Sequence, residues 1–178
     1  MDVLLVIDAQ NEFSAKGKRP LTGHEEALQA IKKIVALYRQ SGKPIAWIRH
    51  HNLPHESPAF IPGSWGAEFS PGMGPLENSP IEKEFQKNVY GAFTGTNIKD
   101  WLQHLKPKGI LIVGYFTHGC VSTTAREAIM AQYDVSLDTE ATASWDIQHH
   151  LLGFLPAAET KRSALLQLAS MGAALVKH

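Results

Sequence analysis

The chain has 178 residues, 44% hydrophobic and 19% charged, with 17 Lys plus Arg against 17 Asp plus Glu. That length favours one domain across residues 1–178, long enough to bury roughly 70% of its unfolded surface. The even charge, without basic or acidic runs, argues against a nucleic-acid or anionic-membrane surface, and the single cysteine excludes an internal disulfide framework.

The opening stretch, MDVLLVIDAQ, contains an apolar run of five residues between Asp2 and Asp8. This is too short for a signal-peptide core or a membrane span, so a soluble, cytoplasmic protein is expected. VLLVI reads as a strand buried on both faces, as in a parallel sheet. In HEEALQAIKKIVALYRQSG the residues Ala27, Leu28, Ile31, Ile34, Val35 and Tyr38 recur at helical spacing, and Gly42 ends the run. PIAWIRH (44–50) is a second buried strand. From His51 to Pro80 the pattern dissolves among six prolines and four glycines, the composition of a loop that walls or covers a site. IEKEFQKNVY is a third, weaker strand. TNIKDWLQHLKPKG is a short helix with Thr96 or Asn97 as N-cap. GILIVGY is the clearest strand, followed by a helix in CVSTTAREAIMAQY and a strand in DVSLDTEA. PAAETKRSALLQLASMG begins at Pro156 and stops at Gly172, the asymmetry expected of helix ends, and AALVKH is a last strand. Alternating strands and helices predict an α/β sandwich with one mostly parallel sheet, whose ligand lies beyond the carboxyl ends of the strands.

Three ionisable residues fall at such ends. Asp8 closes the first strand, Lys87 the third, and Cys120 follows the fourth and opens a helix. A helix N-terminus and a nearby cation lower a thiol pKa, and a carboxylate in reach takes the thiol proton and returns it to a leaving group. Lysine would hold that carboxylate ionised.

The residues around these three are similar to the isochorismatase-like cysteine hydrolase superfamily, which includes nicotinamidases and N-carbamoylsarcosine amidohydrolase. VIDAQNEF resembles its opening strand and Asp-x-Gln-x-x-Phe motif, KNVYGAFTGTNIKDWL its lysine segment, GYFTHGCVSTTAREA its nucleophile segment, and EATAS the segment after the next strand. The resemblance implies a three-layer α/β/α sandwich with six strands ordered 3-2-1-4-5-6, and a catalytic triad of Asp8, Lys87 and Cys120. It also implies a cis peptide between Tyr115 and Phe116, with the backbone N–H groups of Phe116 and Cys120 as the oxyanion hole. Gly114 and Gly119 allow the tight path, and Thr117 and Thr123 brace it.

Metal-binding members carry Asp-x-His after the second strand, where this chain reads His50-His51-Asn52. No metal and no cofactor are therefore expected, although His51 and His55 have ligand chemistry. Phe13, Trp65, Tyr90, Phe116, His118 and Trp145 are the expected substrate-binding walls, suited to a compact, flat or apolar small molecule. Gln10 is expected to bond the lysine or the substrate, and Glu140 to accept a structural hydrogen bond. The implied activity is hydrolysis of a small amide, carbamoyl or ureide C–N bond through a thioester. The alternatives are an isochorismatase-type ether hydrolase and a non-catalytic binding or assembly protein; a redox thiol protein would need a resolving cysteine. Neither nucleic acid nor membrane is an expected partner. The resemblance implies a homo-oligomer, dimer or tetramer, with AFIPGSW (59–65) and the C-terminal helix carrying apolar residues for subunit packing.

Overall fold

A computed structural model describes residues 2–178. Its strands are β1 (Val3–Ile7), β2 (Ile45–His50), β3 (Glu82–Lys87), β4 (Gly109–Tyr115), β5 (Asp134–Ala143), β6 (Ile147–His149), β7 (Gly153–Leu155) and β8 (Ala174–Val176). The helices are α1 (His24–Gln40), α2 (Ile98–Leu105), α3 (Ser122–Met130) and α4 (Ala157–Ser170). Six strands form one sheet in the order β3-β2-β1-β4-β5-β8, every pairing parallel, flanked by helices. This is the expected sandwich and strand order; the sixth sheet strand is β8 because β6 and β7 form a separate antiparallel hairpin. The sequence does not announce that hairpin, since its second strand is wholly exposed and alternation has no buried face to follow.

The central strands explain their composition. β1 and β4 are buried at every position, so β1 reads as an unbroken run of Val, Leu and Ile and β4 carries the run ILIV at its centre. β3 lies at the edge and is only partly buried, its six residues including five charged or amide side chains, which is why its sequence signal is faint. α1 turns Ile31, Ile34 and Val35 into the core and packs across β5, β4 and β1. At α2 the N-cap residue is Asn97, but the capping oxygen comes from Thr96, whose Oγ1 accepts the Ile98 N–H at 3.2 Å.

Register brings functional positions together. Ile7 pairs with Gly114 and His50 with Lys87, so the residues after β1, at the end of β2, at the end of β3 and after β4 share one edge. Between β4 and β5 the register shifts past Ile112, and the buried Asp138 closes the bulge by accepting the Glu140 and Ala141 N–H groups, each at 2.9 Å. Gly114 has φ +114°, and a Cβ there would strike the backbone of Ile7. Only glycine meets both demands. Gly114→Ala is expected to cost about 3 kcal/mol or more, read as a lowered urea midpoint with an unchanged m-value.

Candidate active site

The site begins with a turn in the backbone. Asp8 leaves β1 at φ 48°, a left-handed conformation that Asp tolerates better than most residues. Its N–H still donates to Ile48 O at 2.9 Å, so the turn is anchored to β2. Lys87 ends β3, and Cys120 lies in a π-helical turn, Thr117–Val121, ahead of α3. The peptide bond between Tyr115 and Phe116 is cis. The Phe116 carbonyl accepts the Gly119 and Val121 N–H groups, closing the turn. Thr117 Oγ1 pins the turn to β5 through Thr142 Oγ1 at 2.8 Å and Ala143 O at 2.9 Å. The second brace comes from Thr124 rather than Thr123: Thr124 Oγ1 accepts the Ala92 N–H, while Glu127 takes the Phe93 N–H and the Thr94 hydroxyl. α3 thereby holds the loop that follows Lys87.

The three ionisable residues meet. Lys87 Nζ donates to Asp8 Oδ2 at 2.8 Å and to Cys120 Sγ at 3.2 Å, with both Lys87 and Asp8 side chains fully buried. It also faces Val89 O at 3.1 Å and His50 Nδ1 at 3.2 Å. Burial works against the ammonium, but the Asp8 carboxylate and Cys120 outweigh it and hold Lys87 above its ordinary value. The other Asp8 oxygen, Oδ1, is buried without a hydrogen-bond partner.

The thiol corrects an expectation. Cys120 is raised, not lowered: burial pushes it up first, the Asp8 carboxylate adds to that, and Lys87 opposes both without prevailing. A helix end and a cation were expected to dominate, but Lys87 is already matched by Asp8. A second anion beside that pair has no counter-charge.

His50 is the residue that sequence reasoning passed over. Its Nδ1 accepts from Lys87 and its Nε2 donates to Asn52 Oδ1 at 2.8 Å, so the neutral Nε2–H tautomer fits both partners. Asn52 is held in turn by Ala59 O at 3.1 Å. Burial, then Lys87, lowers His50 below the usual imidazole range. The only sequence signal was its place in RHH at a strand end. Gln10 bonds neither lysine nor cleft: its amide clamps the His50 backbone N–H and C=O and the Ala67 carbonyl, fixing the end of β2.

Asp8, His50 and Cys120 offer ligand atoms within 4.8 Å of one another. They do not fit a metal ion, because Lys87 Nζ already bonds all three and a metal would face an ammonium. Burial, then the Arg49 charge, lowers His51 below the usual imidazole range, with Gln86 as its hydrogen-bond partner, and His55 is exposed. Glu140 accepts from Lys177 at 2.6 Å, a structural contact as expected.

A cleft of about 320 Å³ opens over Asp8 and Cys120. Phe13, Tyr90, Phe116 and Trp145 line it, joined by Phe60 and Val89, which the sequence did not single out. Trp65 and His118 are not among the lining residues. Trp65 is 53% exposed in a short turn, and its carbonyl accepts from Asn11. His118 lies behind the wall, edge-on to Phe116 and Trp145, with Nδ1 3.1 Å from Ser144 Oγ. Ala59 and Phe60 of AFIPGSW are buried within the chain, which leaves Trp65 as that segment's exposed large apolar residue.

Two measurements follow from these charges. Iodoacetamide labelling of Cys120 is expected to titrate above the free-cysteine value of about 8.5, and Asp8→Asn to move the midpoint down by roughly one pH unit or more. An unshifted midpoint in Asp8→Asn would contradict the charge argument. His50 is neutral in the fold but protonates more readily unfolded, so its contribution to stability is complete above the ordinary imidazole pKa, about 6.5. It is lost as pH falls below that. Urea midpoints at pH 7.5 and 5.5 are expected to differ less in His50→Asn than in the wild type.

The family model described as "Isochorismatase domain" matches residues 2–176. A secreted isochorismatase effector of Verticillium dahliae is 32% identical over 174 residues, covering 98% of this chain and 86% of that one. Nicotinamidase 3 of Arabidopsis thaliana is 29% identical over 160 residues, covering 83% of this chain and 75% of its own. Among solved structures, an isochorismatase from Pseudomonas putida superposes with TM-score 0.89 at 31% identity, over 99% of this chain and 88% of that one. No helix among the described residues is long and apolar enough to cross a membrane.

Proposed function

The chain belongs to the isochorismatase family of hydrolases, and on that premise we propose that it is a cysteine-dependent hydrolase of a small amide, carbamoyl or ureide C–N bond. One observation carries the reading: a buried ammonium bonds both a carboxylate and a thiol at the floor of a cleft, and the second carboxylate oxygen is unpartnered. A binding module has no use for that arrangement. The likeness to a nicotinamidase supports an amide substrate.

The chemistry follows from the charge count. With substrate in the cleft, the Cys120 proton passes to Asp8 Oδ1 while Sγ bonds the carbonyl carbon. As that bond forms the carbonyl electron pair moves onto oxygen, so the site holds one negative charge against Lys87 throughout. The N–H groups of Phe116 and Cys120 receive that oxyanion; donors of this kind are each worth about 3–4 kcal/mol. The pair then returns, the C–N bond breaks, and the leaving nitrogen takes the proton from Asp8. Water, deprotonated by Asp8, adds to the thioester. The C–S bond breaks, Sγ recovers the proton, and the acid departs. Asp8 is acid and base in turn, and Lys87 the fixed counter-charge.

This reading makes the protein a small-molecule enzyme of a reducing, cytoplasmic compartment, working as a homo-oligomer. An ammonia-release screen over small amides tests it. On any amide that is turned over, Cys120→Ala is expected to lose at least ~10³-fold in kcat with unchanged circular dichroism, and Asp8→Asn to fall comparably. Wild-type rates in Cys120→Ala would end the proposal.

A further inference from the structure

The chain has five arginines, and Arg39, Arg49, Arg126 and Arg162 each bond a side chain: Glu82, Glu84, Gln167 and Glu159. Arg19 differs. Its guanidinium has no hydrogen bond or ion pair among the described residues, it is exposed, and it lines the cleft over Cys120.

The loop that carries Arg19 is built rather than loose. The buried Glu12 holds it from within, Oε1 accepting the Lys18 N–H at 2.7 Å while Oε2 accepts the Phe60 N–H at 2.9 Å. One carboxylate thus ties the arginine loop to the segment that carries Phe60. The Arg19 N–H donates to Glu12 O at 3.0 Å, the Leu21 N–H to Phe13 O at 3.0 Å, and Lys18 Nζ to Pro58 O at 2.6 Å. A Cβ at Gly17 would strike the Glu12 carbonyl, so the loop sits flush on that residue. The backbone under Arg19 is therefore fixed before any ligand arrives.

The other ionisable groups of the cleft have partners. Asp8 is matched by Lys87, and the thiol is held neutral by burial and by Asp8. Glu56 is engaged in its own turn, Oε2 accepting the Leu53 N–H at 2.7 Å. Arg19 is the cleft's cation without a hydrogen-bond or ion-pair partner among the described residues, above walls of Phe13, Phe60, Phe116 and Trp145. A guanidinium takes a carboxylate through two parallel hydrogen bonds, and aromatic faces take a flat ring.

We propose that Arg19 is the specificity residue of the cleft and that the substrate is a planar amide bearing a second, anionic carboxylate, which Arg19 binds at the mouth while the scissile carbonyl faces Cys120. This rests on the C–N hydrolase reading for the carbonyl end alone; the anion site stands on Arg19 and the walls.

The test uses two flat amides differing in one group, benzamide and 3-carbamoylbenzoate, with 3-(aminomethyl)benzamide as the cationic control. Binding is measured by calorimetry on Cys120→Ala protein, and ammonia release by the wild type is followed in parallel. The carboxylate compound is expected to bind at least ~10-fold tighter than benzamide. Adding Arg19→Ala to that background removes the advantage without changing benzamide affinity, and Arg19→Lys retains part of it. Equal binding of all three probes overturns the proposal, as does preference for the cation or an equal loss for both uncharged and anionic probes in Arg19→Ala. Anion preference in binding with no amide turned over would leave the anion site standing and remove the hydrolase reading. Equal kcat/KM on both amides with no binding preference would do the reverse.

Discussion

Everything at this site depends on one ammonium shared between two acids. Lys87 Nζ lies 2.8 Å from a carboxylate and 3.2 Å from a thiol with no solvent between them. In so dry a place a single cation sustains a single anion, because a second would have neither water nor counter-charge. The proton between Asp8 and Cys120 therefore cannot simply leave. In the proposed mechanism it would move from sulfur to carboxylate and back, and the same rule that favours the protonated thiol at rest would tie its deprotonation to bond formation. A resting thiolate would react with any electrophile in reach; a thiol beside a waiting base reacts when a carbonyl is placed against it.

The fold exists to make that meeting. The three residues are separated by 79 and 33 positions in sequence, and parallel register sets the ends of β1, β3 and β4 along one edge. Each arrival has its own support. Gln10 stitches β2 to the turn after β1, Asp138 closes the bulge that lets β5 reach Thr117, and α3 holds the lysine loop through Thr124 and Glu127. Gly114 allows β4 to lie against Ile7. None of these groups need touch a substrate, yet each sets a distance in the triad.

Much of this was legible in the residues. Runs such as VLLVI and GILIVGY announce buried parallel strands because both faces are covered, and a thiol at a strand–helix junction marks the edge where such sheets work. Three of the failures share one cause. Periodicity reports which face of a regular element is buried, and Trp65, Gln10 and the β6–β7 hairpin lie where no regular face exists. Trp65 turned to solvent, and Gln10 spent its amide on backbone groups. His50 could be seen at a strand end but not paired, since its partner Lys87 meets it only through the β2–β3 register. The thiol was misjudged for a different reason: its titration depends on how many charges one cavity holds, which no local motif counts.

The two halves of the site also differ in how they are made. Asp8 and Lys87 hang from strand ends locked by the sheet and Cys120 from the turn pinned to β5, whereas Arg19, Phe60 and Tyr90 come from loops. Loops are free to vary only if something else holds their backbones in place, and here that is Glu12, a buried carboxylate that accepts backbone N–H groups from the Arg19 loop and from the segment carrying Phe60. Because it bonds backbone and not side chains, the residues at 18 and 60 can change identity without loosening the tie. The machinery and the recognition surface are thus mechanically joined but chemically separable. A scaffold of that kind keeps one reaction while its substrate changes.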